Sequence, residues 1–163
     1  MVFELIQRPK SVSIARTQQK PFNKLAQAAS VVRDLDKTVD YYEKLGIPPF
    51  KPLKMEIDQR WLKGKTIELR NKIKITQAGP LELEPMQPVE GNSIQMQFLR
   101  ERGEGLHHLA FFMDDVEEEV ARLQSKGVEL SQYGRSSYNS FNFFETDKIG
   151  GVILEFVRRQ PQD

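Results

Sequence analysis

Four polar side chains that could do chemistry lie in segments of this chain with the composition of β-strands. Gln27 and His108 stand at the start of two such segments, and Glu84 and Glu155 lie in two others. Carboxylates and imidazoles can transfer protons or bind cations, and an amide can donate or accept a hydrogen bond. Glu155 is flanked by Val, Ile, Leu and Phe, so a carboxylate buried there needs a metal ion or a positively charged partner.

Several kinds of chemistry are excluded by what the sequence lacks. The chain has no cysteine, which rules out disulfide bonds, thiolate zinc sites and a cysteine nucleophile, and this fits a reducing, cytoplasmic location. It has no P-loop, no GxGxxG, no GxSxG and no HExxH. A net charge of +1 predicts neither nucleic-acid nor membrane binding, and no apolar run approaches the roughly 20 residues of a membrane-spanning helix.

The segments that begin with Gln27 and His108 are two copies of one repeat. Residues 27–47 (QAASVVRDLDKTVDYYEKLGI) match residues 108–128 (HLAFFMDDVEEEVARLQSKGV) without gaps, at a constant offset of 81 residues. Agreement over a strand, a turn and a helix at one offset predicts a duplicated unit of structure.

Each copy of the repeat contains signals for a strand followed by a helix. A short apolar run precedes Asp34 or Asp115, whose side chain can accept hydrogen bonds from the first free N–H groups of a helix. Apolar residues then recur at the spacing of one helix face. Gly46 and Gly127 follow where a left-handed residue would end the helix. The predicted unit is strand, turn, amphipathic helix and glycine stop.

Further strand-like runs follow each unit and define the expected domains. These runs are residues 65–76 and 79–85 in the first half and residues 127–133, 140–146 and 150–157 in the second. The boundaries that we expect are an N-terminal extension with one candidate extra strand (1–24), a first βαβββ module (25–92), a linking helix (93–104), a second βαβββ module (105–158) and a tail (159–163).

The segment GLHHLAFFMDDVEEEVARLQSKGV, together with GGVILEFVRRQP, resembles the second half of methylmalonyl-CoA epimerases and related glyoxalase-type proteins. These proteins belong to the vicinal oxygen chelate superfamily. The resemblance covers about residues 25–158. It implies an α+β fold in which two tandem βαβββ modules form a curved eight-stranded cup around one divalent metal ion.

The resemblance also implies which residues hold the metal ion. The second His of GLHH carries to His108, and the Glu of the closing strand carries to Glu155. The family's acidic ligand four residues before a proline carries to Glu84, before Pro88, although Glu82 competes for this role. His107 is expected to point to the opposite face of its strand, because side chains alternate along a strand.

The fourth ligand position departs from the epimerase pattern. Gln27 stands where those enzymes have a His, but glyoxalase I of the eukaryotic type has a Gln/Glu/His/Glu set. One imidazole, one amide and two carboxylates suit an octahedral divalent ion such as Zn, Co, Ni, Mn or Mg. The alternative is that Gln27 marks a family member that has lost its metal.

The resemblance implies proton abstraction next to a carbonyl through a metal-stabilised enolate, with Glu155 or Glu84 as the base. The best match is an epimerase or isomerase, and the alternatives are a glyoxalase I-like lyase and a metal-free, bleomycin-resistance-like binding protein. Glu68 is a further candidate base. The expected partner is a small molecule with adjacent oxygens, such as a CoA thioester, whose phosphates could contact the basic segment 51–74. A homodimer is compatible with the family.

Overall fold

The computed structural model describes residues 22–161 as one curled mixed β-sheet with four helices. The elements, in chain order, are β1 (Leu25–Val31), α1 (Leu35–Lys44), β2 (Lys51–Pro52), β3 (Gln59–Leu62), β4 (Lys65–Thr66), β5 (Leu69–Ala78), β6 (Leu81–Gly91), α2 (Ile94–Glu101), β7 (Gly105–Phe112), α3 (Val116–Gln124), β8 (Leu130–Arg135), β9 (Ser140–Phe144), α4 (Asp147–Gly150) and β10 (Ile153–Arg158). The extra strand expected within residues 1–24 lies almost wholly outside the described residues.

The sheet has ten strands in the order β2-β5-β6-β1-β7-β10-β9-β8-β3-β4, so the expected count of eight was wrong. Strands β1 and β7 pair in antiparallel fashion at the centre, and each has a parallel neighbour, β6 or β10. The two additional strands are the hairpin β3–β4. It comes from the first half of the sequence but pairs with β8 of the second half, which the pattern of residues 65–76 did not indicate.

A six-residue strap, residues 53–58, connects β2 at one edge of the sheet to β3 near the other edge. The chain from Pro52 to Gln59 reaches at most roughly 25 Å, whereas in a flat sheet these strands would lie roughly 38 Å apart. The sheet must therefore curl until its two edges approach each other, and the strap crosses the mouth of the resulting cup.

The predicted helix signals of both repeats are confirmed. Asp34 accepts a hydrogen bond from the backbone N–H of Lys37 (3.0 Å), and Asp115 accepts one from Glu118 (2.9 Å). The chain leaves both helices through left-handed glycines, with φ of +93° at Gly46 and +81° at Gly127. Each cap satisfies backbone groups that the helix itself leaves free, so these residues set the helix boundaries.

Helices α1 and α3 cover the outer face of the sheet, whereas Leu99 of α2 packs with Ala29, Val31 and Met86 on the inner face. Helix α1 packs with Leu83 of β6, and α3 packs with Phe156 of β10. Because side chains alternate along a strand, the neighbours Glu84 and Glu155 point to the inner face. Residues 22–161 include no helix with the length and hydropathy that a membrane crossing requires.

Candidate active site

The register of the two central strands places the two repeats in equivalent positions. Gln27 lies opposite Ala110, and Ala29 lies opposite His108. Both alanines are fully buried, so each polar residue faces a small side chain across the strand pair. Gln27 and His108 are therefore diagonal neighbours at the floor of the cup, as the offset between the repeats requires.

The flanking strands extend this equivalence to the glutamates. Glu84 pairs with Ala29 on β1, and Glu155 pairs with Ala110 on β7. Glu82 pairs with Gln27, and Ile153 pairs with His108. Glu82 is therefore the counterpart of Ile153 in the second half. The register thus supports the choice of Glu84 over Glu82 as the counterpart of Glu155.

In the first half, Gln27 is the centre of a buried polar network. Its side-chain nitrogen donates hydrogen bonds to one oxygen of Glu82 and one oxygen of Glu84. Glu82 also accepts two hydrogen bonds from the guanidinium of Arg159, at 2.9 and 2.8 Å. Two carboxyl groups of the neighbouring strand β6 therefore hold the amide nitrogen of Gln27, and Glu82 contacts the site although it was the rejected candidate.

The sequence interpretation missed Arg159, which it assigned to the tail. Its side chain is only 8% exposed, and it lines the same cavity as Glu155. The signal was the alternation of β10: Glu155, Val157 and Arg159 fall on one face. The inner face of the sheet continues one residue beyond the last strand position.

In the second half, His108 lies against Glu155 and His107. Nε2 of His108 is 3.2 Å from Oε2 of Glu155, but the two groups are not aligned as a hydrogen bond, and this nitrogen is buried without a hydrogen-bond partner. Its Nδ1 lies 2.8 Å from Nδ1 of His107. The ring of His108 also makes an edge contact with Phe143, with centroids 4.9 Å apart.

The expectation that His107 points away from His108 was wrong. The pairing of β7 with β1 shifts between His108 and Leu106, so His107 is the extra residue of a β-bulge. A bulge interrupts the alternation of side chains. Both imidazoles are consequently buried in contact with each other.

Burial determines the protonation of these groups in the absence of a metal ion. It raises the pKa of Glu155 to about 8. Burial, followed by the charges of Glu155 and Glu82, raises the pKa of Glu84 well above its usual range. Burial lowers the pKa of His108 to about 3. Near neutral pH, the metal-free cup therefore favours a protonated Glu155 and a neutral His108.

The donor set fits a divalent metal ion. A buried imidazole nitrogen without a hydrogen-bond partner, two buried carboxyl groups and one amide supply one nitrogen and up to three oxygen ligands. Within residues 22–161 no three His, Asp or Glu side chains converge on one point, so the donors stand as two pairs: Gln27 with Glu84, and His108 with Glu155.

A cavity of about 250 Å³ opens over this floor. Three of the four predicted site residues line it: Gln27, Glu84 and Glu155. The strap supplies apolar wall residues, among them Met55 and Ile57. About half of the lining residues are apolar and the rest are polar or charged, and a concave site in which polar groups converge between apolar walls suits a small molecule. Glu68 is exposed and does not line this cavity.

Comparison with known proteins gives a family match over most of the chain. A sequence profile described as the Glyoxalase/Bleomycin resistance protein/Dioxygenase superfamily matches residues 26–143. Methylmalonyl-CoA epimerase from Mycobacterium tuberculosis has a similar structure, with a TM-score of 0.61 and 26% sequence identity, covering 85% of this chain and 89% of that chain.

Two further relatives are more limited in what they show. A Streptomyces coelicolor methylmalonyl-CoA epimerase variant in complex with 2-nitronate-propionyl-CoA has a TM-score of 0.61 at 23% identity, covering 85% of this chain and 98% of that chain, and this likeness shows the fold alone. The uncharacterized protein YqjC of Bacillus subtilis (strain 168) is 32% identical over 82 residues. That match spans 48% of this chain and 59% of YqjC.

Proposed function

This chain belongs to the glyoxalase/bleomycin resistance protein/dioxygenase superfamily, and from that premise we propose that it is a metal-dependent epimerase that removes and returns a proton next to a carbonyl group. The observation that carries the proposal is the pair Glu84 and Glu155. They occupy equivalent positions on the strands that flank the central pair, and both line one cavity. Two proton-transfer groups that approach from opposite sides suit inversion at a carbon.

The residues that would hold the ion are Gln27, Glu84, His108 and Glu155. The ion, when bound, supplies positive charge that stabilises negative charge developing on a carbonyl oxygen. His107 supports this role of His108. Nε2 of His108 has a free lone pair only in the tautomer that carries the ring proton on Nδ1. In that tautomer Nδ1 of His108 can donate a hydrogen bond to Nδ1 of His107.

Burial raises the pKa of Glu84 and Glu155, whereas a bound ion would favour their ionised, proton-accepting forms. A general base works best when its pKa lies near the operating pH, and burial, opposed by the charge of Arg159, raises the pKa of Glu155 to about 8 in the absence of an ion. One carboxylate takes the proton from one face of the substrate, and the other returns a proton to the opposite face. The Arg159 guanidinium opposes the rise in the pKa of both groups, which limits the protonated fraction.

The proposed substrate is an acyl-CoA thioester, by analogy with the Streptomyces coelicolor complex. A cavity of about 250 Å³ can hold the acyl group but not the whole thioester. The rest of the substrate would pass the strap, near Arg60 and Arg70, which also line the cavity; Arg70 is paired with Glu90 at 2.8 Å. Their positive charge is complementary to the phosphates of a CoA tail.

One observation favours a second candidate function, a glyoxalase I-like lyase. Gln27 gives the site the amide that distinguishes the glyoxalase I ligand set from that of the epimerases. The same two glutamates could move a proton between adjacent carbons instead of inverting one. A metal-free binding protein is the third candidate, because the Gln27 nitrogen is already held by two carboxyl groups.

Metal content separates the enzymes from the binding protein. We expect about one divalent ion per chain in protein purified without chelator, measured by inductively coupled plasma mass spectrometry. His108→Ala and Glu155→Ala should lose the ion, as should Glu84→Gln. Glu90→Gln, on the exposed end of the same strand, is the matched control and should keep it. Native protein that holds no ion and takes up none would rule out both enzyme proposals.

Solvent deuterium exchange separates the two enzymes. We expect exchange at the α-carbon of methylmalonyl-CoA in D₂O, followed by mass spectrometry, and none with the hemithioacetal of methylglyoxal and glutathione. The reverse pattern would favour the lyase. Exchange with neither compound would leave the epimerase proposal without a substrate and count against it.

A further inference from the structure

Gln27 has two chemically different ends, and only one of them can bind a cation. The amide oxygen has lone pairs, whereas the amide nitrogen carries two hydrogens and no available lone pair. A His at this position would have presented a ring nitrogen instead. A Gln ligand therefore works only if its surroundings decide which end faces the ion.

The contacts of Gln27 make that decision. Its nitrogen lies between an oxygen of Glu82 and an oxygen of Glu84, and it donates to both. If the amide were reversed beside ionised carboxylates, the form that a bound cation favours, its oxygen would face two acceptor groups and lose both hydrogen bonds. Gln27 is 2% exposed, so water cannot compensate for that loss.

Glu82 is itself held in place by Arg159. The two guanidinium nitrogens bind its two oxygens at 2.9 and 2.8 Å, and the side chains are 8% and 12% exposed. This bidentate, charge-assisted geometry fixes the carboxylate in one orientation. The Glu82 oxygen that accepts from Gln27 also accepts from Arg159, so the contacts form a continuous chain.

We propose that Glu82 and Arg159 are positioning residues that hold the Gln27 nitrogen toward β6 and thereby leave the Gln27 oxygen free for a divalent ion. The inference rests on the proposed function, because it concerns the same metal site. It gives the pair a role other than ligation, since both Glu82 oxygens are already occupied by Arg159 and Gln27. It also explains why Glu82 has no counterpart in the second half, where Ile153 stands at the equivalent position and His108 has no amide to orient.

The test is a double-mutant cycle on Co²⁺ affinity, measured by isothermal titration with the full chain. Glu82→Gln should weaken Co²⁺ binding about tenfold or more, because an amide at 82 accepts either end of Gln27. In a Gln27→Glu background the same change should have an effect of less than about threefold, because a carboxylate at 27 has two equivalent oxygens. An equal loss in both backgrounds would mean that Glu82 acts through charge or folding alone, and it would overturn the inference.

Single substitutions of Arg159 supply a second test with a matched control. Arg159→Gln should reproduce the loss of Co²⁺ affinity, whereas Arg158→Gln, at a neighbouring side chain paired with Glu117 near the surface, should not. Arg159→Lys keeps the positive charge but cannot bind both oxygens of Glu82 at once, so it should give an intermediate loss of Co²⁺ affinity. This variant keeps the test informative if Arg159→Gln does not fold. Unchanged affinity in Arg159→Lys and in folded Glu82→Gln would overturn the inference. Native protein that binds no Co²⁺ would instead remove the proposed function, and the inference with it.

Discussion

The two halves of the site share a backbone plan but differ in their surroundings. In the first half, Gln27 and Glu84 lie in a polar network that ends in the ion pair of Glu82 and Arg159. In the second half, His108 lies against aromatic rings and has a buried nitrogen without a hydrogen-bond partner. The amide nitrogen and carboxyl groups of the first half have hydrogen-bond partners within the protein, whereas Nε2 of His108 in the second half has none.

This difference indicates how a duplicated fold becomes an asymmetric site. Strand register places side chains at equivalent points, but it does not determine what those side chains touch. An amide needs partners that select one of its ends, whereas the lone pair of a neutral imidazole needs only the correct tautomer. We therefore expect most of the metal affinity to come from the second half and most of the sensitivity to neighbouring residues to come from the first.

The largest effect should come from making the second half resemble the first. His108→Gln should weaken Co²⁺ binding at least about 100-fold, because the imidazole ligand is lost and no ion pair there orients a replacement amide. Gln27→His, which makes the first half resemble the second, should stay within about tenfold of the native affinity. Competition with a chromophoric chelator measures both, and equal losses in the two variants would contradict the asymmetry.

The pH dependence of stability should separate the carboxyl groups from the imidazole. In protein whose metal has been removed by a chelator, Glu155 is protonated in the native state but ionised in the unfolded state between the usual carboxyl pKa and about pH 8. The unfolding free energy therefore falls as pH rises through that range. Below pH 6.5, the usual pKa of histidine, His108 binds a proton in the unfolded state but not in the native state. Its contribution to the unfolding free energy therefore rises with pH in that range. The two effects oppose each other below pH 6.5, and only the carboxyl effect remains above it.

We therefore expect the raised pKa of Glu155 to lower the unfolding free energy of metal-free protein by up to about 1.4 kcal/mol per pH unit between pH 6.5 and 8. Urea unfolding with and without Co²⁺ measures the slope. Glu155→Gln should flatten it, and so should the metal ion, which keeps both carboxylates ionised. A slope that Co²⁺ leaves unchanged would show that the ion does not bind these groups.

The smallest effect should be the same in both halves. Asp34→Ala and Asp115→Ala each remove one helix cap with a similar hydrogen bond and should each cost about 1 kcal/mol of unfolding free energy. Neither change should alter Co²⁺ affinity. A difference of more than about 1 kcal/mol between the two variants would mean that the repeats are not equivalent even as scaffolds.

The sequence predicted those features that depend on neighbouring residues. The caps at Asp34 and Asp115 and the left-handed glycines are decided within one helix turn, and they were found where the pattern placed them. The offset of 81 residues also predicted that Gln27 and His108 occupy equivalent places. Equivalent strands of a duplicated unit have the same register, so a single comparison of the sequence with itself carried that information.

Only the tertiary structure decided the contacts that join distant parts of the chain. The pairing of β3 with β8 follows from the curl of the whole sheet, and the bulge at His107 follows from the fit of β7 against β1. The ion pair of Arg159 with Glu82 joins residues 77 positions apart. No local pattern encodes such a contact, because its free energy depends on burial that exists only after the cup has closed.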